Sequence, residues 1–456
     1  MKKPLRILLV SANRLATPYP VYPLGVAYLT TYLREHMPDI DIQSFDFNMG
    51  KEEELAQYLN QFQPTYIGIS LRNVDGVNSY DPVNFIGGYK SIMETIKSRY
   101  THPHTTIIGG AGFSIFPEKL FELLQPDYAI CGEGEISLHQ LISGIENGNG
   151  LDNIQGLIYR KNNQLHFNNK RTEYSCPNLK FDENLVDYYW KNSGMLNIQT
   201  KRGCPFHCIY CTYPIIEGHV VRTLDAASVV ESLTTLHQTK GIDYVFFTDS
   251  VFNMKQDYNI ELAERIISSG INIRWGAYFF PKGMDEKTMA LFKKSGLVHV
   301  EFGTESICDR TLKNYGKHFT VADIMEQSEI CRKVGVDYAH FLILAGYGET
   351  DETINETYEN SKLIKQTVFF PFVGMRIYPG TPLYKMALAE GVIDADDDLI
   401  EPKYYISKQV NLDTLKERAI ATGRRWVFPD EDTSTITNKM RKLRNKKGPL
   451  WEYLVS

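Results

Sequence analysis

The sequence lacks several features that would mark other classes of protein. It has no run of about 18 apolar residues, the length of a membrane-spanning helix. The apolar run near the N-terminus is too short for a secretory signal peptide, and seven cysteines in 456 residues do not suggest a disulfide scaffold. The net charge of −6 provides no overall basic field for nucleic acid. A soluble protein of two or three domains in a reducing, cytoplasmic setting is expected.

Three of the few cysteines are clustered. Cys204, Cys208 and Cys211 have the spacing C-x3-C-x2-C, whereas the other four are scattered singly. Iron–sulfur clusters are normally held by four cysteine thiolates, so three thiolates would leave one iron open to a non-protein ligand. The alternatives are a zinc site or three packed core thiols. Structural zinc sites usually take four protein ligands in two pairs, and the sequence has no second C-x-x-C or H-x-x-x-H pair.

The cysteine spacing resembles the signature of the radical SAM enzymes. The resemblance implies a 4Fe-4S cluster on the three cysteines, with S-adenosylmethionine (SAM) chelated at the open iron. It also implies that an electron from the cluster cleaves SAM to give a 5′-deoxyadenosyl radical. Tyr210, one residue before the last cysteine, stands where that family usually has an aromatic side chain against the adenine.

The first 145 residues alternate short β-branched runs with amphipathic helical patterns. Such runs are typical of strands buried on both faces of a parallel sheet. Five of them with crossover helices predict a doubly wound α/β domain, which binds ligands beyond the carboxyl ends of its strands. The predicted strands are residues 6–10, 40–47, 66–71, 106–108 and 128–131.

Glycines follow several of these predicted strands and let a backbone approach a ligand closely. A Pro-x-x-Gly loop, two glycines after the fourth strand and Gly-Glu-Gly-Glu after the fifth resemble the cobalamin-binding domain found upstream of many radical SAM cores. The resemblance implies a Rossmann-like cobalamin-binding domain. The residues that it implicates are Pro23, Leu24, Gly25, Ser70, Arg72, Asn73, Gly109, Gly110, Gly132, Glu133 and Gly134.

The sequence departs from the usual cobalamin-binding pattern at the residues expected to face the lower side of the cobalt. Many cobalamin proteins place a histidine there, but the second predicted strand ends at residues 45–50 without any histidine. Arg72 or Asn73 could face the cobalt instead. Because arginine has no lone pair to offer, it would leave the cobalt five-coordinate or fewer and favour methyl transfer. The alternative is an ordinary salt bridge from Arg72 to Asp75 or Asp81.

From residue 195 the pattern changes to helices that end in glycine and are followed at once by an apolar strand. Glycine just past a helix is a common C-cap. Six such β/α units predict a partial (β/α)6 TIM-type barrel, whose active site would lie at the carboxyl ends of the strands. After the strand that precedes the cysteines, strands are predicted at 244–248, 271–277, 299–303, 338–345 and 372–378.

The ends of these predicted strands are similar to motifs of the cobalamin-linked radical SAM branch. The resemblance implies that Asp249 and Glu305 hold the amino and ribose ends of SAM. It also implies that the loops of Gly346 and Arg376 lie near the adenine. Either acidic residue alone could instead be a helix N-cap.

The predicted organisation has four parts. The cobalamin-binding domain spans 1–145, a linker with a hairpin spans 146–194, the partial barrel spans 195–384 and a small C-terminal helical extension spans 385–456. Cys176, in the linker, is assigned no chemistry. The basic stretch at 439–447 is either a solvated helix that closes the barrel mouth or a docking face for an acidic partner or anionic lipid head groups.

The function implied by the resemblance is methylation of an unactivated carbon in a small-molecule or lipid substrate, with a leaning toward lipid biosynthesis. The implied cofactors are a 4Fe-4S cluster, SAM and cobalamin, and an external electron donor of the flavodoxin or ferredoxin type is expected. No nucleic-acid partner is expected, because no RNA-binding module is evident. The alternatives are an oxidation, cyclisation or rearrangement without methyl transfer, and a non-enzymatic iron–sulfur or cobalamin sensor.

Overall fold

The computed structural model describes residues 4–170, 172–175 and 178–455, so Cys176 lies outside the described residues. The chain divides into two compact units. The first consists of Met1–Gly76, Val83–Tyr188 and Ile215–Glu217, and the second of Val77–Pro82, Tyr189–Pro214 and Gly218–Ser456.

The described residues of the first unit form one seven-stranded sheet in the order β2-β1-β3-β4-β5-β6-β7. The first five strands in this order are parallel, as the unbroken apolar runs predict. The strands are β1 (Leu5–Ser11), β2 (Ile40–Asp46), β3 (Tyr66–Ser70), β4 (Thr105–Gly109), β5 (Tyr128–Ile130), β6 (Leu157–Lys161) and β7 (Gln164–Phe167). The helices are α1 (Leu24–His36), α2 (Glu52–Phe62), α3 (Ile86–Arg99), α4 (Ala111–Ile115), α5 (Pro117–Leu124) and α6 (Glu135–Asn147).

The predicted hairpin extends this sheet. Asn162 and Asn163 both have positive φ, +53° and +63°, as a two-residue type I′ turn requires. Strand β6 pairs antiparallel with β5, so the hairpin adds two strands to the edge of the sheet. The sequence pattern predicts the first hairpin strand at 154–159, whereas β6 begins at Leu157.

The second unit contains six parallel strands in chain order, β8-β11-β12-β13-β14-β15, with the short β18 beside β15 in the part of the chain described. This order and the intervening helices confirm the predicted α/β partial barrel. The strands are β8 (Leu196–Ile198), β9 (Lys201–Arg202), β10 (Arg222–Thr223), β11 (Tyr244–Phe247), β12 (Arg274–Phe279), β13 (Leu297–Glu305), β14 (Asp337–Leu344), β15 (Thr367–Val373), β16 (Met375–Arg376), β17 (Tyr404–Tyr405) and β18 (Arg425–Trp426).

Helices alternate with these strands. Helix α7 (Glu183–Ser193) precedes β8, and α8 (Tyr213–Ile216) follows the cysteines. The others are α9 (Ala226–Lys240), α10 (Gln256–Ser269), α11 (Glu286–Lys294), α12 (Asp309–Asn314), α13 (Val321–Val334), α14 (Asp351–Ser361), α15 (Pro382–Ala389), α16 (Leu415–Ala421) and α17 (Ser434–Arg444).

The sixth barrel strand was placed wrongly from the sequence. It was expected at 372–378, but β15 runs from Thr367 to Val373 and pairs with β14 from Tyr338 onward. A proline inside an apolar run argues against a central strand, because it cannot donate to the ladder. Pro371 is nevertheless buried within β15, and Gly374, with φ of +74°, follows the strand end.

The C-terminal segment packs near the amino ends of the barrel strands. Trp451 begins a short 3-10 helix and donates a hydrogen bond from Nε1 to Oε1 of Glu301 on β13, at 2.9 Å. Glu452 Oε2 lies 3.3 Å from His299 Nε2 on the same strand. This segment therefore packs away from the carboxyl ends where the site is expected. None of the described helices has both the length and the apolar character needed to cross a membrane.

Candidate functional site

The three clustered cysteines lie on one loop beyond the carboxyl end of β8, after the short β9. All three are free thiols. The amide of Cys204 donates to Gly218 O at 3.0 Å, and the amide of Cys211 donates to Cys208 O at 3.2 Å. The loop is thus folded back on itself, with its cysteines held close in space.

A glycine before the first cysteine is required by close backbone packing. Gly203 has φ of +90°, and a Cβ added there would lie 2.1 Å from the carbonyl oxygen of Val220. Any other residue would push the loop away from its neighbour. The glycine before Cys204 therefore has a steric function.

Two of the sulfur atoms are buried and have backbone hydrogen-bond donors beside them. Burial raises the pKa of Cys204 and raises that of Cys211 to about 12, while backbone N–H groups of Phe206 and Tyr213 donate toward these two sulfurs and oppose the rise. Each sulfur also lies within electrostatic range of Cys208. Hydrogen bonds to cysteine sulfur are typical of iron–sulfur sites.

Within the described ranges, no group of three or more histidine, cysteine, aspartate or glutamate side chains, the cysteine loop included, is already arranged to hold a metal ion. The three thiols with their backbone donors fit a multi-iron cluster that takes three protein ligands.

Asp249, expected to bind the amino end of SAM, is bonded within the protein. Its Oδ1 accepts hydrogen bonds from the amides of Thr200 and Lys201, at 2.6 and 2.9 Å. Its Oδ2 lies 3.0 Å from Nζ of Lys201, which also donates to Asn259 Oδ1 at 2.8 Å. Asp249 therefore holds the backbone that leads into the cysteine loop.

Glu305, the other acidic residue expected at SAM, ends β13 with φ of +63°. Its Oε1 lies 3.1 Å from Nζ of Lys317, and both side chains are mostly buried. Tyr210 hydrogen-bonds to Glu305, and burial, followed by the charge of Glu305, raises the pKa of the phenol. The end of β13 and the cysteine loop therefore meet at Tyr210.

Sequence reasoning missed Lys317. Burial alone would lower the pKa of its ammonium group, but the charges of Glu305 and Cys208 raise it overall. The lysine belongs to no recognisable motif, and only the packing of its segment on the cysteine loop brings it to the site. No signal in the sequence could have found it.

The Gly346 turn follows the end of β14, and the buried side chain of Glu349 stabilises it. A Cβ at Gly346 would lie 2.2 Å from the Tyr315 hydroxyl, so only glycine fits there. The Gly346 amide donates to Oε2 of Glu349 at 3.1 Å, and burial raises the pKa of Glu349 to about 8. The turn therefore has a defined backbone shape at the carboxyl edge of the barrel.

Arg376, expected near the adenine, has its guanidinium directed at backbone carbonyls. It donates to Ile377 O and to Leu399 O, each at 2.6 Å, and its guanidinium carbon lies 4.7 Å from the centre of the Tyr378 ring. Arg376 thus ties β16 to the segment around Leu399, and it shapes this loop rather than presenting a free charge.

In the first unit, the expected cobalamin residues gather at the carboxyl edge of the parallel sheet. Register pairs Ser70 with Gly109, and Gly25, in the first turn of α1 after Pro23 and Leu24, packs near Ser70. The strand order reverses between β1 and β3, which is where such sheets bind their ligands.

The glycines at this edge have two different surroundings. Gly110 has φ of +101°, and a Cβ there would lie 2.6 Å from Leu71 O, so its backbone is pressed against the loop after β3. At Gly25 and Gly132 an added Cβ would make ordinary van der Waals contacts instead, 3.8 Å from Ser70 Oγ and 3.9 Å from Ile216 O. The backbone is therefore less crowded at these two glycines than at Gly110.

The remaining expected residues lie in the same loops. Glu133 and Gly134 lead directly into α6, with Gly134 at its N-cap. Asn73 follows β3, and its carbonyl accepts a hydrogen bond from the Tyr89 hydroxyl. Arg72 is exposed in the loop that follows β3.

Comparisons with known proteins match both units. The family model of the radical SAM superfamily matches residues 198–360, and that of the B12 binding domain matches residues 10–142. An uncharacterized methyltransferase of Pyrococcus horikoshii is 26% identical over 85% of both chains. The tryptophan 2-C-methyltransferase of Streptomyces laurentii is 22% identical, over 84% of this chain and 74% of its own.

A solved structure shows the same fold over the whole chain. It is the radical S-adenosylmethionine methyltransferase TsrM from Kitasatospora setae, with cobalamin and a [4Fe-4S] cluster bound. The TM-score is 0.85 at 22% sequence identity, with 100% of this chain and 97% of that chain covered. The arrangement of strands and helices described above is thus that of a known fold.

Proposed function

Because this chain belongs to the cobalamin-dependent radical SAM enzymes, we propose that it transfers a methyl group to an unactivated carbon of a small-molecule or lipid substrate. The two matched domains confirm the predicted cofactors, a 4Fe-4S cluster and SAM for one and cobalamin for the other. Relatives named as methyltransferases favour methyl transfer over oxidation, cyclisation or a sensor. The observation that carries the proposal is the loop of three free cysteines with backbone donors to its sulfurs.

The chain's own residues bind and orient these cofactors. When bound, the cofactors supply an electron, an adenosyl or methyl group and a methyl carrier. Cys204, Cys208 and Cys211 would hold the cluster in a loop whose entry is fixed by Asp249. We propose that Tyr210, Glu305 and the Gly346 turn line the SAM site. Arg376 would act only by shaping the adjoining loop.

In the first unit we propose that cobalamin lies on the glycine-lined edge of the sheet. The residues proposed to contact it are Pro23, Leu24, Gly25, Ser70, Asn73, Gly109, Gly110, Gly132, Glu133 and Gly134. We propose that Arg72, exposed at the end of the central strand β3, faces the lower side of the cobalt without ligating it.

The test is anaerobic reconstitution of the full chain with iron, sulfide and cobalamin, followed by reduction and incubation with SAM. Deoxyadenosine together with S-adenosylhomocysteine, and a product heavier by one CH2 unit, are expected. Deoxyadenosine without S-adenosylhomocysteine would favour a reaction without methyl transfer, and intact SAM would favour a sensor. Cys204→Ala should lose the cluster's visible absorbance, whereas Cys331→Ala, in the core on α13, should keep it.

The reaction also needs a substrate and a reductant. We propose a flavodoxin- or ferredoxin-type donor and a cytoplasmic setting, where thiols stay reduced. We further propose that the basic stretch 439–447 makes a peripheral contact with anionic lipid, because Lys442 and Leu443 are both exposed there, Leu443 by 79%. Flotation with vesicles of phosphatidylcholine alone or with phosphatidylglycerol tests this contact, and equal flotation would contradict it.

A further inference from the structure

A second segment, at residues 315–317, forms a wall of the cysteine loop. The amide of Ile209 donates to the carbonyl of Tyr315 at 3.2 Å. A Cβ added at Gly316 would lie 2.9 Å from His207 O and 3.7 Å from the Cα of Cys208. The backbone that carries Lys317 is therefore packed directly on the middle cysteine.

The ammonium group of Lys317 is enclosed at this wall. Its side chain is only 8% exposed, unlike a typical surface lysine, and Nζ lies 3.1 Å from Glu305 Oε1. Nζ also lies 5.3 Å from the centre of the ring of Tyr210, which immediately precedes Cys211. A positive charge is thus held in a water-poor position beside the cysteine loop, with Glu305 and the ring fixing its place.

The charge of Lys317 lies within electrostatic range of the cysteine loop. Nζ is held near the ring of Tyr210, which immediately precedes Cys211, and it interacts electrostatically with the three cysteines. Electrostatic effects of this kind are stronger in a buried site than in water.

We propose that Lys317 is a positioning residue that supplies a fixed positive charge beside the cysteine ligands and makes the bound cluster easier to reduce. Reduction adds one electron from the external donor and makes the cluster more negative, so a nearby cation stabilises the reduced form. Glu305 holds the lysine in place and partly offsets its charge. The inference rests on the proposed function, because it requires the cluster on Cys204, Cys208 and Cys211.

The experiment is an anaerobic redox titration of the reconstituted full chain with dithionite, monitored by the electron paramagnetic resonance (EPR) of the reduced cluster, without SAM. Lys317→Met should make reduction about tenfold less favourable, which is a midpoint lower by about 59 mV for one electron. Glu305→Gln should move the midpoint in the opposite direction, because it leaves the lysine charge unopposed. Lys313→Met, an exposed lysine on the preceding helix α12, is the matched control and should leave the midpoint unchanged.

Midpoint shifts of opposite sign in Lys317→Met and Glu305→Gln indicate a charge effect. A loss of folding would instead move the midpoints of both variants in the same direction. Shifts of the same sign, or a Lys317→Met midpoint equal to that of the wild type, would overturn the role of Lys317 while the cluster itself stands. If Lys317→Met binds no cluster, the sign of the Glu305→Gln shift decides. A wild-type chain that binds no cluster would overturn the proposed function itself.

Discussion

The ammonium group of Lys201 lies 3.0 Å from the carboxylate of Asp249, and the two side chains are 2% and 1% exposed. The pair lies at the base of the cysteine loop, where Asp249 also accepts hydrogen bonds from two backbone amides. The Ser250 hydroxyl donates to Gly203 O at 3.1 Å, just before Cys204. The end of β11 therefore determines where the cysteine loop begins.

Removing one partner of this pair should destabilise the protein strongly. Asp249→Ala leaves Lys201 as an uncompensated buried charge, and losses of about 3–5 kcal/mol in the free energy of unfolding are typical of such changes. Urea unfolding of the apoprotein measures the loss, and iron content per chain after reconstitution should also fall. The exposed pair Glu261–Arg265 provides the control, since Glu261→Ala should cost less than about 1 kcal/mol. Similar losses at the two sites would contradict the importance of burial.

The pH dependence of stability should include a contribution from Glu301. Burial raises its pKa to about 7, with the hydrogen bond from Trp451 opposing the rise. The folded state therefore binds more protons than the unfolded state between about pH 4.5 and 7, so stability falls as pH rises through that window. Glu349, whose pKa burial raises to about 8, acts in the same direction.

Glu301→Gln removes the Glu301 contribution while keeping an acceptor for the Trp451 indole. Between pH 5 and pH 8 the wild type should lose more stability than the variant, by up to about 3 kcal/mol at about 1.4 kcal/mol per pH unit. Urea unfolding at the two pH values measures the difference. Parallel pH profiles would show that Glu301 titrates normally.

The C-terminal segment should contribute to the stability of the barrel. Trp451 is 5% exposed, so Trp451→Ala removes a packed indole and should cost about 3–5 kcal/mol. Leu443→Ala, at a leucine 79% exposed on α17, should change stability by less than about 0.5 kcal/mol. A Trp451→Ala variant as stable as wild type would show that the segment does not support the barrel.

The position of Arg72 can be tested through the cobalt. If Arg72 faces its lower side, Arg72→His should place a ligating nitrogen there, since neutral imidazole binds metals and guanidinium does not. The EPR spectrum of bound Co(II) cobalamin should then show nitrogen splitting that is absent in the wild type. Arg99→His, at an exposed residue at the end of α3, should not show it. Bound cobalamin without splitting in Arg72→His would place Arg72 elsewhere.

Much of the fold follows from local sequence patterns. The parallel strands of the first unit were predictable because unbroken β-branched runs and intervening amphipathic helices are properties of neighbouring residues. The hairpin turn was predictable for the same reason, since Asn162 and Asn163 both tolerate positive φ. The sixth barrel strand was misplaced because Pro371 is a local signal against a strand that the surrounding sheet overrides.

The sequence by itself predicted the cluster-binding site, through three cysteines whose spacing needs no tertiary information. Only the tertiary structure decided what the charged residues around them do. Asp249 and Glu305 look alike in the sequence, yet one pairs with Lys201 beneath the loop and the other with Lys317 at its wall. The physical reason is that the function of a buried charge depends on the partner that compensates it, and packing brings that partner from a distant part of the chain.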